Sequence, residues 1–89
     1  MKSQALPQFW KLYYASPQII RRRIASAYRK WLNNPDHLGL QFKRVGLRRP
    51  VYSVRVNDSY RVLGLLEEDT IYWFWVGPHD QYERVIKGL

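Results

Sequence analysis

Apolar residues recur at spacings of three and four from Ile20: Ile20, Ile24, Ala27, Tyr28, Trp31 and Leu32. That period gathers them into one helical stripe and leaves Arg21, Arg22, Arg29 and Lys30 off it. Ser16-Pro17 is expected to open the helix, with serine as N-cap and proline at the first helical position. Asn33-Asn34-Pro35 closes it. Beyond residue 50 the period falls to two. Tyr52, Val54 and Val56 share one face of a strand over 51–56, and Ser53 and Arg55 share the other. Asn57-Asp58-Ser59 are turn residues. A return strand over 60–66, a turn at Glu67-Glu68-Asp69 and a third strand over 70–76 follow. The third strand, IYWFWV, is apolar on both faces, which assigns it to the sheet centre. Gly77-Pro78 breaks it, and a terminal helix covers 79–87.

The remaining segments are less patterned. Residues 1–6 read as a frayed start. Gln8 to Tyr14 reads as a short strand or an extended arm, because its aromatics suit a strand better than a helix. Asp36 to Gly39 is a turn. Leu40, Phe42 and Val45 mark a short strand or extended segment that seals the core, and residues 46–50 form a basic loop. A chain of 89 residues supports one domain, 1–89, with about one helix layer against one sheet. The expected class is therefore α+β.

The hairpin has a definite register. A three-residue loop at 57–59 pairs Val54 with Val62 and Arg55 with Arg61. A two-residue loop would set Arg61 opposite an inward valine, and a one-residue slip flips every side chain. Two arginines side by side repel, so packing alone would not select them. An anion facing that surface would.

Charge supports such a partner. The net charge is +8, and residues 21–61 carry eleven Lys or Arg against two Asp. This balance points to nucleic acid or to an acidic protein. Lys43, Arg44, Arg48, Arg49, Arg21 and Arg22 are the candidate RNA-binding cations. The run Arg21-Arg22-Arg23 spans too much helical arc to aim at one atom, so it fits a docking patch better than a site. A membrane surface is disfavoured, because the basic helix lacks a wide apolar face. The N-terminus has no apolar h-region, so no secretory signal is expected. With no cysteine, disulfides and thiolate metal sites are excluded. That composition suits a reducing, cytoplasmic setting.

No metal-ligand cluster, carboxylate pair or glycine-rich phosphate loop stands in the sequence, so no metal or cofactor is expected. Arg55 and Arg61 can act as a phosphate clamp, or they can be two solvated surface residues. His79 and Tyr82 follow the third strand directly. Histidine titrates near neutrality and can give or take a proton, and tyrosine can donate one or stack on a base. The plainer reading is that His79 or Asp80 caps the helix and Tyr82 packs. His37 follows a helix-ending proline and is assigned a structural or surface role. Trp10, Trp31, Trp73 and Trp75 are assigned to buried or half-buried positions.

The hairpin YSVRVNDSYRVLG and the tail WFWVGPHDQY, with FWKLYY, SPQIIRRRIASAYRKWL and NPDHLGLQFKRV before them, resemble the RelE/ParE superfamily of bacterial type II toxins. The resemblance covers nearly the whole chain. It implies a RelE-like fold. An N-terminal helical layer packs on a curved, mainly antiparallel sheet of about four strands, with a short C-terminal helix. It also implies a cognate acidic antitoxin. In the RelE branch the implied activity is ribosome-dependent mRNA cleavage by 2′-hydroxyl attack, with no metal. The catalytic candidates are then Arg61, Arg55, His79 and Tyr82. Arg61 stands at the family arginine and Arg55 at a family lysine. Ser53 replaces the second hairpin lysine, and the family's late tyrosine falls at about Val85, one turn beyond Tyr82. The ParE branch implies DNA gyrase as target and no bond cleaved. A third possibility is a non-catalytic module that binds only its antitoxin.

Overall fold

Val54 pairs with Val62 and Arg55 with Arg61, the register expected from the valine and arginine pattern. The computed structural model describes residues 1–89. In chain order the elements are β1 (Lys2–Ala5), α1 (Pro7–Ala15), α2 (Gln18–Asn33), a 3₁₀ turn (Leu38–Leu40) and β2 (Lys43–Arg44). Then come β3 (Val51–Arg55), β4 (Tyr60–Glu67), β5 (Thr70–Pro78) and α3 (His79–Ile86). The strands form one five-stranded sheet in the order β1-β5-β4-β3-β2. Only the β1–β5 pair is parallel. The class is α+β, with one strand more than the four expected.

The sheet is covered on both faces. Ile24, Ala27 and Trp31 of α2 and Phe9 of α1 pack with Val54, Val62, Ile71, Trp73 and Val76 in the larger core. Tyr82 of α3 packs with Val51, Leu63 and Trp75 on the opposite face. The helical stripe is narrower than its spacing implied, since Tyr28 and Leu32 stay exposed. Trp31 meets Trp73 edge to face at 5.2 Å between ring centroids, a favoured geometry for aromatic pairs.

Five expectations need correction. Residues 1–6 do not fray. Lys2 N–H donates to the Asp69 carbonyl at 2.8 Å and Leu6 N–H to that of Trp73 at 2.9 Å. β1 thereby covers the outer edge of β5, which would otherwise present bare backbone beside an apolar strand. Gln8 to Tyr14 is helical rather than extended. Phe9, Leu12 and Tyr13 recur at helical spacing and turn inward, and this packing outweighs the β preference of the aromatics. Trp10 lies on the other side of α1 and is exposed rather than half-buried. Ser16 does not cap α2. It ends α1, its Oγ donating to the Leu12 carbonyl at 3.0 Å, and Pro17 takes the cap position with no side-chain bond.

The fifth correction concerns β5. It lies second in the sheet beside β1, and β4 holds the centre. It also runs through Gly77 and Pro78, which pair with Arg61 and Tyr60. Its apolar run is two-faced through an irregularity. Leu63 pairs with Trp75 but Gly64 pairs with Trp73, so Phe74 is an extra residue in the strand. The bulge inverts the alternation, and Trp73 and Trp75 join opposite cores. It needs glycine across the ladder, since a Cβ on Gly64 would lie 2.6 Å from the Trp73 ring.

Candidate functional site

The site forms where the β3–β4 turn meets the start of α3. Asn57 sets the turn: its Oδ1 accepts from Ser59 N–H and from Tyr60 N–H, both at 2.9 Å. His79 N–H donates to the Ser59 carbonyl at 2.7 Å, which ties the first residue of α3 to that turn. The register then sets Arg55 and Arg61 opposite each other on the α3 side of the sheet.

Each arginine has local partners. Arg61 Nη1 donates to the Asn57 carbonyl at 2.6 Å and to its neighbour Tyr60's carbonyl at 3.0 Å. Arg55 pairs with the Asp58 carboxylate across the turn. The Arg61 guanidinium is held below the usual arginine range. Burial is the main cause and the adjacent Arg55 charge the next, with Tyr82 and Asp58 acting in the opposite sense. It remains a permanent cation. Asp58 is held below the usual carboxylate range, chiefly by its hydrogen bond from Arg55.

All four catalytic candidates line one cavity. Arg55, Arg61, His79 and Tyr82 enclose it with Gln41, Lys43 and Ser53. Its volume is about 70 Å³. The space is small and its wall carries three permanent cations, which suits a phosphate group. No carboxylate lines it. The His79 and Tyr82 rings lie 5.4 Å apart, and His79 Nδ1 is 3.6 Å from Glu83 Oε1. Tyr82 is buried, so packing is one of its roles and its ring faces are not free to stack on a base. His79 does not cap α3. Nor does Asp80, whose carboxylate accepts from Gln81 N–H at 2.9 Å and stands 4.0 Å from Arg84 Nη2.

Of the candidate RNA-binding cations only Lys43 lines the cavity. Arg44 Nε donates to the Gly46 carbonyl at 2.9 Å, Arg21 Nη1 donates to the Ser16 carbonyl at 2.6 Å, and Arg22, Arg48 and Arg49 lie elsewhere. His37 has a structural part, its Nδ1 accepting from Gly39 N–H at 3.1 Å. Gln41 joins the site without any sequence signal. It sits in the left-handed region at φ 47° after the 3₁₀ turn, and no periodicity marks such a residue. Ser53 is buried in the cavity wall, where its small size leaves the arginines room. Gly77 lies across the ladder from Arg61, and a Cβ there would fall 2.6 Å from the Trp75 ring. Trp75 therefore lies tight against the strand beneath the site.

A helical layer on a five-stranded sheet, with a basic cavity at the hairpin end, makes a small α+β domain with a candidate anion site. The sequence profile of the ParE-like toxin domain matches residues 18–84, and the chain belongs to that family. Among solved structures it is similar to the RelB–RelE antitoxin–toxin complex from Methanococcus jannaschii. That match has a TM-score of 0.67 and 23% identity, over 91% of this chain and 95% of that one. It is also similar to a copper-bound mutant toxin from Helicobacter pylori. There the TM-score is 0.63 and the identity 15%, over 91% of this chain and 97% of that one. No curated protein sequence matches it significantly.

Proposed function

We propose that this domain is the toxin of a type II toxin–antitoxin pair and that it cleaves mRNA on the ribosome. One observation carries the reading: two opposed arginines, a lysine, an imidazole and a phenol converge on a small cavity with no carboxylate in its wall. The 2′-hydroxyl attacks the adjacent phosphorus, the bond to the 5′-oxygen breaks, and a 2′,3′-cyclic phosphate and a 5′-hydroxyl result. Arg61 and Arg55 stabilise the charge that builds on the phosphoryl oxygens. His79 accepts the 2′-hydroxyl proton, and Tyr82 donates one to the leaving oxygen. Asp58 takes one of the donors of Arg55, and so competes with the phosphate for it.

The partner is an acidic antitoxin covering the Arg55 and Arg61 face or the helix segment from Arg21 to Lys30. The presence of an antitoxin in the Methanococcus jannaschii neighbour supports this. The reading puts the action in the cytoplasm, and no helix is long and apolar enough to cross a membrane. A second reading is inhibition of DNA gyrase without catalysis, favoured by the match to a ParE-like profile. The deciding experiment compares mRNA cleavage on purified ribosomes with gyrase supercoiling. Cleavage supports the ribonuclease. Intact mRNA with blocked supercoiling establishes the gyrase reading. Neither effect leaves a module that only binds its antitoxin.

A further inference from the structure

A second, larger cavity of about 520 Å³ opens on the other side of the β3–β4 turn, between that turn and α2. Arg23, Ser26 and Lys30 of α2 form one wall, and Arg55 with the turn residues Asn57 to Ser59 forms the other. The helix residues stand at spacings of three and four, so they make one polar stripe directed at the cleft beside the buried Ile24, Ala27 and Trp31. Neither Arg23 nor Lys30 is in an ion pair, and both are exposed. The only carboxylate in the wall, Asp58, is taken by Arg55.

Arg55 lines both this cleft and the small cavity that holds Arg61, His79 and Tyr82. The two spaces thus share one residue of their walls. A helix face bearing two unpaired cations beside a serine hydroxyl gains nothing from packing. It suits a ligand with several negative charges spaced along a chain. Phosphates on a single strand are read by such grooves without regard to sequence.

We infer that the cleft between α2 and the β3–β4 turn is a second phosphate subsite, in which Arg23 and Lys30 hold a single RNA strand whose scissile phosphate lies at Arg61. The inference rests on the ribonuclease reading and extends it, by giving the strand a path over the turn. Arg23 and Lys30 position the strand and take no part in bond cleavage. Their contribution therefore grows with strand length.

The test is fluorescence anisotropy with oligouridylates of about three and about ten nucleotides, spanning the lower range of single-strand site sizes. Wild type, the double variant Arg23→Ala/Lys30→Ala and Arg61→Ala are compared at several salt concentrations. The double variant should bind the short oligomer like wild type and the long one more weakly. Its salt slope on the long oligomer should fall by about 0.7 for each phosphate that is no longer neutralised. Arg61→Ala should weaken both lengths. Equal binding of the long oligomer by wild type and the double variant overturns the subsite alone. Weaker binding at an unchanged salt slope also overturns it, because the cations would then act through the fold. Wild-type protein that binds neither length overturns the subsite and RNA recognition together.

Discussion

Arg61 does two jobs, and a single substitution would confuse them. It faces the cavity, and it also holds the turn through the carbonyls of Asn57 and Tyr60. Arg61→Ala removes both functions. Removing one donor to the transition state costs about 3 kcal/mol, roughly a hundredfold in rate. Each missing hydrogen bond costs about 1 kcal/mol of stability, a shift of several degrees in a domain this small. Arg61→Lys separates the two. It keeps charge but loses the planar fork, so ribosomal cleavage should still fall while the melting temperature recovers in part. His79→Ala and Tyr82→Phe should slow cleavage less than Arg61→Ala. If all three cleave like wild type, the cavity is not the active site. Asp58 invites the opposite result. It is solvent-exposed, so its bond to Arg55 adds little to stability, yet it occupies the guanidinium that a phosphate needs. That occupation is present above the ordinary carboxylate range. It persists below that range and is lost only as pH falls through the depressed value. Asp58→Asn should tighten oligouridylate binding near neutrality by roughly two- to fivefold, measured by anisotropy. No change would mean that Arg55 does not meet the strand.

At the scale of elements, alternation and turn chemistry made the hairpin legible. Valine faced valine in only one register, and that register placed Arg55 and Arg61. The helix from residue 18 was legible from its stripe and from the Asn34-Pro35 stop. The first helix was not, because its aromatic content outweighed a spacing that Phe9, Leu12 and Tyr13 already carried. β1 was not, since four residues with little periodicity become a strand only when β5 offers an edge. The bulge at Phe74 was also hidden, because a run apolar on both faces looks the same with or without an extra residue. That bulge matters to the site. It turns Trp75 toward α3 and brings its ring against Gly77, opposite Arg61. Gly77→Ala should therefore push Trp75 out of place and cost about 1–3 kcal/mol by overpacking. Thermal melting reads the loss, and cleavage should fall with it. An unchanged melting point would show that the Trp75 ring has room to shift.

Across the whole molecule, cations are spread well beyond the cavity. The net charge is +8, yet among the eleven basic residues of the central segment only Lys43, Arg55 and Arg61 line the small site. Apart from Arg23 and Lys30 in the cleft beside α2, the others would act as a field rather than as direct ligands. They would draw a polyanion toward the hairpin end and retard its escape. This separates two quantities. Cleavage should respond to the few cavity residues, whereas affinity should respond to the sum of charges. If a bound strand meets about six phosphates, affinity should fall by about a thousandfold between roughly 50 and 200 mM salt. The same field makes the free protein a ready partner for an acidic chain. An antitoxin that neutralises the hairpin face competes with RNA for the same charge, so its association should be fast at low salt and slower as salt rises. Expression with the neighbouring reading frame should yield a co-purifying acidic protein, and hydrogen exchange should slow over the β3–β4 hairpin or over α2 in the complex. A free monomer with neither surface protected would show that the positive field has another use, and the salt response toward RNA would then stand as its only measured function.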